Sequence, residues 1–245
     1  MATSRWPTNR LWALAINASS RSADRGKSMP SDRICGLYGI TPDQASAAAL
    51  EAAVNAALAG GVNILQYRSK LLSGAMKRQQ ARHIRTICRE SGVTFIVNDD
   101  VGLAAEIDAD GVHLGREDGS LQSARQVLGP QKIIGFSCYN DLSLARVAAD
   151  GGADYIAFGS FFPSPTKPAA VQAQISLIAQ AKQRFTIPIV AIGGITLKNA
   201  PQLIEAGADA VAVLSDLFGA VDIAAQASSY RKLFDHHVRQ KQTTV

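Results

Sequence analysis

Gln66, Arg68 and Lys70 alternate along the segment Gln66-Tyr67-Arg68-Ser69-Lys70, directly after a run of β-forming residues. Side chains two apart on a strand share a face, so an amide and two cations converge at one strand end. Adjacent cations repel unless an anion lies between them, and a di- or polyphosphate is the natural guest. A solvated pair of loop charges is the competing reading. Acidic residues offer the complement. Asn98-Asp99-Asp100 ends a second run, and Gly115-Arg116-Glu117-Asp118 follows a third. Carboxylates at neighbouring strand ends can share one hard cation, and Mg²⁺ typically takes one or two carboxylates plus substrate phosphates. Asp99 and Asp118 are the expected ligands. Asp100 and Glu117 fall to the surface or to helix N-termini, where the dipole favours them.

Other polar groups also follow β-forming runs rather than precede them. One run ends at Ser137. Another ends in Gly159-Ser160 and leads into a loop whose prolines (Pro163, Pro165, Pro168) present the hydroxyls of Ser164 and Thr166 and the Lys167 ammonium. The last two runs end in Gly193-Gly194-Ile195-Thr196 and Leu214-Ser215. Glycines that open a helix expose backbone N–H groups to an anion. Two separate phosphate sites are expected, a metal-assisted one and a monophosphate cradle.

These residues need a scaffold that gathers many strand ends. Eight β-forming runs occupy 34–40, 62–67, 94–97, 111–114, 133–137, 155–159, 188–192 and 210–214, with starts 17 to 33 residues apart. Each interval has room for a crossover helix, a tight one after the third run. Near-continuous hydrophobic strands separated by helices predict a parallel sheet. Eight units in about 210 residues predict a single-domain α/β chain, a (β/α)8 TIM barrel with its site at the C-terminal strand ends. A doubly wound sheet is the alternative. Ala206-Gly207-Ala208-Asp209 echoes Gly151-Gly152-Ala153-Asp154, with Ala109-Asp110 and Ala59-Gly60-Gly61 as variants. Duplication of a unit, or shared turn chemistry alone, accounts for the echo.

Composition narrows the function classes. With 47% apolar and 18% charged residues in 245, the chain can bury a large core. No apolar run reaches the about 20 residues of a membrane helix. Residues 1–33 carry six basic and two acidic side chains, +4 of the total +5. The remainder is close to neutral, with no basic face for nucleic acid. Three cysteines without a CxxC pair suit a reducing compartment, so a cytoplasmic protein is expected. Cys138 reads as packing, His113 as structural or supporting, and His236 and His237 as solvated. The expected division is a flexible extension at 1–33, a catalytic barrel at 34–235 and a polar tail at 236–245. A chain beginning at Met29 should keep its melting temperature and activity. A loss of several degrees on that truncation would show that the leader packs on the barrel.

The segments LYGITPD, QYRSK, VNDD, DGVHLGRED, IIGFSCYN, GADYIAFGSFFPSPTKP, IPIVAIGGIT and AGADAVAVLS occur in this order between residues 37 and 215. With them the chain resembles the thiamine-phosphate synthase (thiamine-phosphate pyrophosphorylase) family over 34–235. The resemblance implies a transferase of thiamine biosynthesis. It would join 4-amino-2-methyl-5-(diphosphooxymethyl)pyrimidine to a thiazole phosphate, carboxylated in many bacteria, and release pyrophosphate by a dissociative route. It implies that Gln66, Tyr67, Arg68, Ser69, Lys70, Asn98, Ser137 and Lys167 hold the pyrimidine diphosphate, with Arg68, Lys70, Ser137 and Lys167 serving catalysis. Asp99 and Asp118 would ligate one Mg²⁺ per subunit. Ser164, Pro165, Thr166, Gly194, Leu214 and Ser215 would hold the thiazole phosphate. Small molecules are the expected partners, and self-association as a homo-oligomer is left open.

Departures from the family pattern are also visible. Ser164 stands where Thr is common, the segment 169–174 is short and lacks a glycine, and the leader has no counterpart. The closest rival is the thiazole tautomerase branch, which carries a histidine two positions after the serine of the fifth strand. Here that position is Tyr139, a poorer base at neutral pH. A catalytically silent regulatory barrel and another phosphate-handling barrel, such as an epimerase, complete the alternatives.

Overall fold

Each β-forming run becomes a strand: β1 (Gly36–Ile40), β2 (Ile64–Tyr67), β3 (Thr94–Asn98), β4 (Gly111–Leu114), β5 (Ile133–Tyr139), β6 (Tyr155–Phe158), β7 (Ile189–Ile192) and β8 (Ala210–Val213). The computed structural model describes residues 33–44, 46–164 and 171–243. The expected leader therefore lies outside the described residues, except Arg33, as do Pro165, Thr166 and Lys167. All strands pair in parallel and in sequence order, and β1 closes on β8 through Gly36↔Ala210 to Gly39↔Val213. Closure makes this a TIM barrel and disposes of the doubly wound alternative.

Helices α1 (Ala47–Gly60), α2 (Gly74–Glu90), α3 (Val101–Glu106), α4 (Leu121–Leu128), α5 (Leu142–Asp150), α6 (Ser176–Arg184) and α7 (Ala200–Glu205) cross between strands. A short α8 (Ser215–Phe218) follows β8, and α9 (Ile223–Thr243) ends the described chain. The 17-residue interval after the third run admits only the six residues of α3. Asp100 caps it, accepting a bond from the Leu103 N–H at 2.9 Å, and Glu117 is exposed. Both match expectation. The boundary expected at 235/236 does not exist in the backbone. Helix α9 runs through it, and its first turns lie along α1, where a Cβ at Gly60 would stand 2.3 Å from the Ala224 carbonyl oxygen. No described helix is long and apolar enough to cross a membrane.

The alternating pleat divides the core in two. Tyr38, Ile40, Ile64, Ile96, Ile133, Tyr155, Ala157, Val190, Ala210 and Ala212 fill the inside of the barrel. Leu37, Leu65, Phe95, Val112, Ile134, Ile156 and Val211 face the helices.

The sequence echo has a physical basis at the N-terminal face. The residue before each even strand turns its side chain back onto the first N–H groups of the preceding odd strand. Asn63 accepts from Leu37 N at 3.1 Å, Asp110 from Phe95 N at 2.9 Å, Asp154 from Ile134 N at 2.7 Å and Asp209 from Ile189 N at 2.7 Å. The three aspartates also hold a cation each: Arg33, Arg125 and Lys182. The barrel is thus stitched four times by a pair-of-strands unit, at the end remote from the site. Asp154→Ala is expected to lower unfolding free energy by roughly 1.5–3 kcal/mol, the worth of a hydrogen bond to a charged group. Activity at a temperature where the variant is folded should not change. Denaturant unfolding and a rate measurement check both parts.

Candidate active site

The barrel's C-terminal mouth gathers the expected residues. Gln66 points inward on β2, and its side-chain NH2 donates to the Tyr38 hydroxyl at 2.8 Å. Arg68 and Lys70 lie just past the strand, and a third group that the sequence reading missed organises them. Asp43, after β1, accepts from Arg68 Nη1 at 2.6 Å and from the Lys70 main-chain N–H. Burial works to raise the Asp43 carboxyl, but the Lys70 amide and the Arg68 guanidinium outweigh it and hold it below the usual carboxylate range. Thr41 completes the clamp, its hydroxyl accepting from Arg68 N and donating to Arg68 O. Side-chain alternation alone predicts the convergence of the cations. It cannot show that a carboxylate 25 residues earlier aims one of them. Tyr67 turns the other way: its hydroxyl meets Gln80 of α2 at 2.9 Å, and its ring is sealed against the helices. Its side chain therefore does not reach the mouth, as period-two alternation requires.

The acids lie within electrostatic reach of Lys70. Asp99 occupies the left-handed region at φ 64°, rare outside glycine but least costly for Asp and Asn. This conformation brings its carboxyl into hydrogen-bonding contact with that of Asp118 and with the Asn98 side chain. Asp118 is held in turn by the Gly115 N–H at 2.7 Å. Burial raises the Asp99 carboxyl, and the Asp118 charge raises it further. The Lys70 ammonium opposes both without cancelling them. Two touching carboxyls only partly offset by the Lys70 ammonium form a donor set suited to a hard divalent cation. No group of three or more His, Cys, Asp or Glu side chains is placed to hold a metal among the described residues. A cation on this pair would need further oxygens, such as phosphate, to complete its shell.

Ser137 on β5 faces the same mouth and meets His113 Nε2 at 2.8 Å. His113 therefore supports a site residue from inside the barrel. The β5–β6 register slips between Ser137 and Tyr139, and Tyr139 swings out at φ 54° with the Arg116 guanidinium 5.6 Å from its ring centre. Bulges beside active sites commonly re-aim a side chain in this way. Cys138, fully buried, has its thiol pushed up to about 12 by burial, which suits packing rather than catalysis.

The other half of the mouth is built mainly from backbone. Phe161 N and Phe162 N donate to Ile192 O and Gly193 O, each at 3.1 Å, so the β6 loop is laid along the end of β7. Ser164 lies half-buried on that loop. Gly194 is left-handed at φ 62°, and a Cβ there would sit 2.4 Å from the Pro163 carbonyl oxygen. The β6 loop by itself therefore requires a glycine at this position. Nor do the glycines open a helix, since α7 begins only at Ala200. The helix at this edge is α8, which starts at Ser215 immediately after Leu214. Asp216, unremarked in the sequence, anchors it. Its Oδ2 accepts from Tyr230 Oη and Gln226 Nε2, both at 2.6 Å, and from Leu197 N at 3.3 Å. One carboxylate thus ties the β7 loop, α8 and α9 together.

Comparison with known proteins agrees with this architecture. Residues 37–217 match the thiamine monophosphate synthase family. The chain is 53% identical over 207 residues to a thiamine-phosphate synthase of Aromatoleum aromaticum, covering 84% of this chain and all of that protein. It is 54% identical over 202 residues to one of Methylobacillus flagellatus, covering 82% and 96%. Among solved structures, the thiamine phosphate pyrophosphorylase of Pyrococcus furiosus superposes with a TM-score of 0.77 at 33% identity, covering 85% of this chain and 98% of that one. With the family matched across the whole mouth, this chain belongs to the thiamine monophosphate synthase family, a family of transferases of thiamine biosynthesis.

Proposed function

We propose that this protein condenses 4-amino-2-methyl-5-(diphosphooxymethyl)pyrimidine with a thiazole phosphate, giving thiamine phosphate and pyrophosphate, and also CO₂ where the thiazole is carboxylated. One observation carries the reading: the touching Asp99 and Asp118 carboxyls lie within electrostatic reach of Lys70, two residues from an Arg68 already fixed by Asp43, a grouping that a diphosphate with its counter-cation would complete. Asp99 and Asp118 would hold Mg²⁺, whose chemistry is to offset charge on the diphosphate oxygens. Arg68, already aimed by Asp43, and Lys70 stabilise the leaving group as the C–O bond breaks and pyrophosphate departs with the electron pair. Gln66 and Asn98 orient the pyrimidine, and Ser137 reaches the same substrate. The thiazole nitrogen then gives its lone pair to the pyrimidine methylene carbon, forming the new C–N bond. No protein base is needed for that step. Ser164, Gly194, Leu214 and Ser215 hold the thiazole phosphate on the β6–β8 side.

Lys167, outside the described residues, completes the set. Lys167→Ala is expected to depress turnover strongly while leaving thiazole phosphate affinity within a few-fold, as binding titrations would show. Loss of thiazole phosphate binding with the diphosphate spared would exchange the two phosphate sites. The central test incubates the full chain with both substrates and Mg²⁺. Thiamine phosphate and pyrophosphate should appear in equal amounts. Failure to form either would overturn the proposal.

A further inference from the structure

Five polar side chains cross the inside of the barrel beneath the mouth in single file. Gln66 Nε2 donates to Tyr38 Oη at 2.8 Å, and the Tyr38 and Tyr155 hydroxyls stand 2.8 Å apart. Tyr155 Oη lies 2.9 Å from His113 Nδ1, and His113 Nε2 lies 2.8 Å from Ser137 Oγ. The two ends are site residues. The three between them, all buried, have no place in the reaction derived above. The file is tightly held. The His113 ring stacks on Tyr155 with centroids 5.5 Å apart, and Gly135 leaves room for the phenol, since a Cβ there would lie 1.9 Å from its ring.

Each tyrosine has one proton and two partners in the file, so the bonds must all run the same way. Burial pushes both phenols well above their usual range, which keeps them protonated. With the Gln66 amide donating, Tyr38 gives its proton to Tyr155 and Tyr155 gives its own to His113 Nδ1. A neutral His113 then carries hydrogen on Nε2 and donates to Ser137, whose O–H is released toward the mouth. Turning the Gln66 amide over reverses every bond, and Ser137 must then spend its proton on His113. With His113 neutral, any mixed arrangement sets two donors or two acceptors face to face in a buried place, which is the costly case for polar groups.

We infer that Tyr38, Tyr155 and His113 are positioning residues that lock the Ser137 hydroxyl to the orientation of the Gln66 amide, so that the group a bound ring shows Gln66 decides whether Ser137 donates or accepts on the far side of the mouth. An amino group on the ring matches the Gln66 carbonyl oxygen and leaves Ser137 a donor, suited to a diphosphate oxygen. A ring oxo group in the same place would demand the opposite and withdraw that donor. The ring's identity as a pyrimidine rests on the proposed function; the direction of the file does not.

The decisive measurement therefore uses no substrate. In the full chain labelled with ¹⁵N-histidine there are four histidines, and His113 is identified by the signals lost in His113→Asn. The neutral His113 should carry its proton on Nε2. Tyr38→Phe, a residue with no hydrogen bond to His113, should give a mixture of the two tautomers, because Tyr155 is then free to donate or accept. Tyr155→Phe should do the same and guards against a misfolded first variant. A wild-type His113 protonated on Nδ1, or tautomer signals unchanged in both folded variants, would overturn the inference. A chain that makes no thiamine phosphate could still pass this test, so the two failures are distinguishable.

Discussion

Asp99→Asn is expected to raise the melting temperature of the metal-free protein at neutral pH while lowering turnover by well over tenfold. The Asp99 carboxyl is raised by burial and by the Asp118 charge, so the folded state holds this proton more tightly than the unfolded chain does. The sign follows from that. The stability it contributes is fully present at low pH and is lost as pH rises through the raised value, which leaves a penalty at neutrality. Asn removes the charge and tolerates φ 64° as well as Asp does, so the variant escapes the penalty without new strain. Its advantage in melting temperature over the parent should shrink as pH falls toward the ordinary carboxylate range. Asp118→Asn should gain less, because the Gly115 N–H then bonds a neutral oxygen instead of a carboxylate. On the proposed reading both substitutions also remove the charge of a Mg²⁺ ligand, and several kcal/mol of charge stabilisation on the leaving group would go with it. Melting curves across pH and steady-state rates across Mg²⁺ concentration test the two halves separately. A variant that melts below the parent at neutral pH, or that keeps the parent's Mg²⁺ dependence, would refute the assignment.

The gathering of the candidate residues at one mouth was legible in the sequence where its signal is local. Gln66, Arg68, Asn98, Asp99, Ser137 and Ser215 all follow a run of apolar strand residues, and a barrel puts every such position at one face. What stayed hidden depends on pairing between distant segments. Asp43 lies in a motif carried by the sequence itself, yet its task exists only because β1 and β2 are neighbours in register, with Ile40 beside Gln66. The interior file escapes notice for the same reason: Tyr38 and Tyr155 look like ordinary core aromatics until the closed barrel places their hydroxyls together, 117 residues apart in the chain. Tyr67 shows the converse, a side chain whose direction sequence neighbourhood does not give. It sits among binding residues in sequence, but a strand sends its neighbours to opposite faces. The polar stretch expected at 236–245 continues α9 as far as Thr243, which charge and polarity alone do not show. The echo ending in Asp110, Asp154 and Asp209 was visible as a repeat, whereas the equivalent role of Asn63 and the cause, a side chain returned to the preceding strand, required the fold.

Gly194→Ala is expected to cut thiazole phosphate affinity at least tenfold and to lower turnover and stability along with it. A glycine chosen only to let a ligand approach would predict a selective loss of that ligand. The geometry predicts a spreading one. The new Cβ would lie 2.4 Å from Pro163 O and 2.5 Å from Phe162 O, and both are backbone atoms that cannot rotate away. The β6 loop must lift, breaking its register with Gly193 and carrying Ser164 out of position. Two costs act together: about 1–2 kcal/mol for a non-glycine residue in the left-handed region, and typically 1–3 kcal/mol for overpacking. Gly92→Ala separates them. Gly92 is also left-handed, at φ 68°, with nothing within 4 Å of the added Cβ, and it lies beyond the end of α2, remote from the mouth. That variant should lose only the backbone share of stability and keep full activity. Gly194→Val should exceed Gly194→Ala in every measure, because two further methyl groups enter the same gap. Denaturant unfolding of the three variants, with thiazole phosphate titrations on each, decides the matter. If Gly194→Ala costs no more than Gly92→Ala and binds thiazole phosphate normally, then the glycine does not couple the β6 loop to the phosphate cradle.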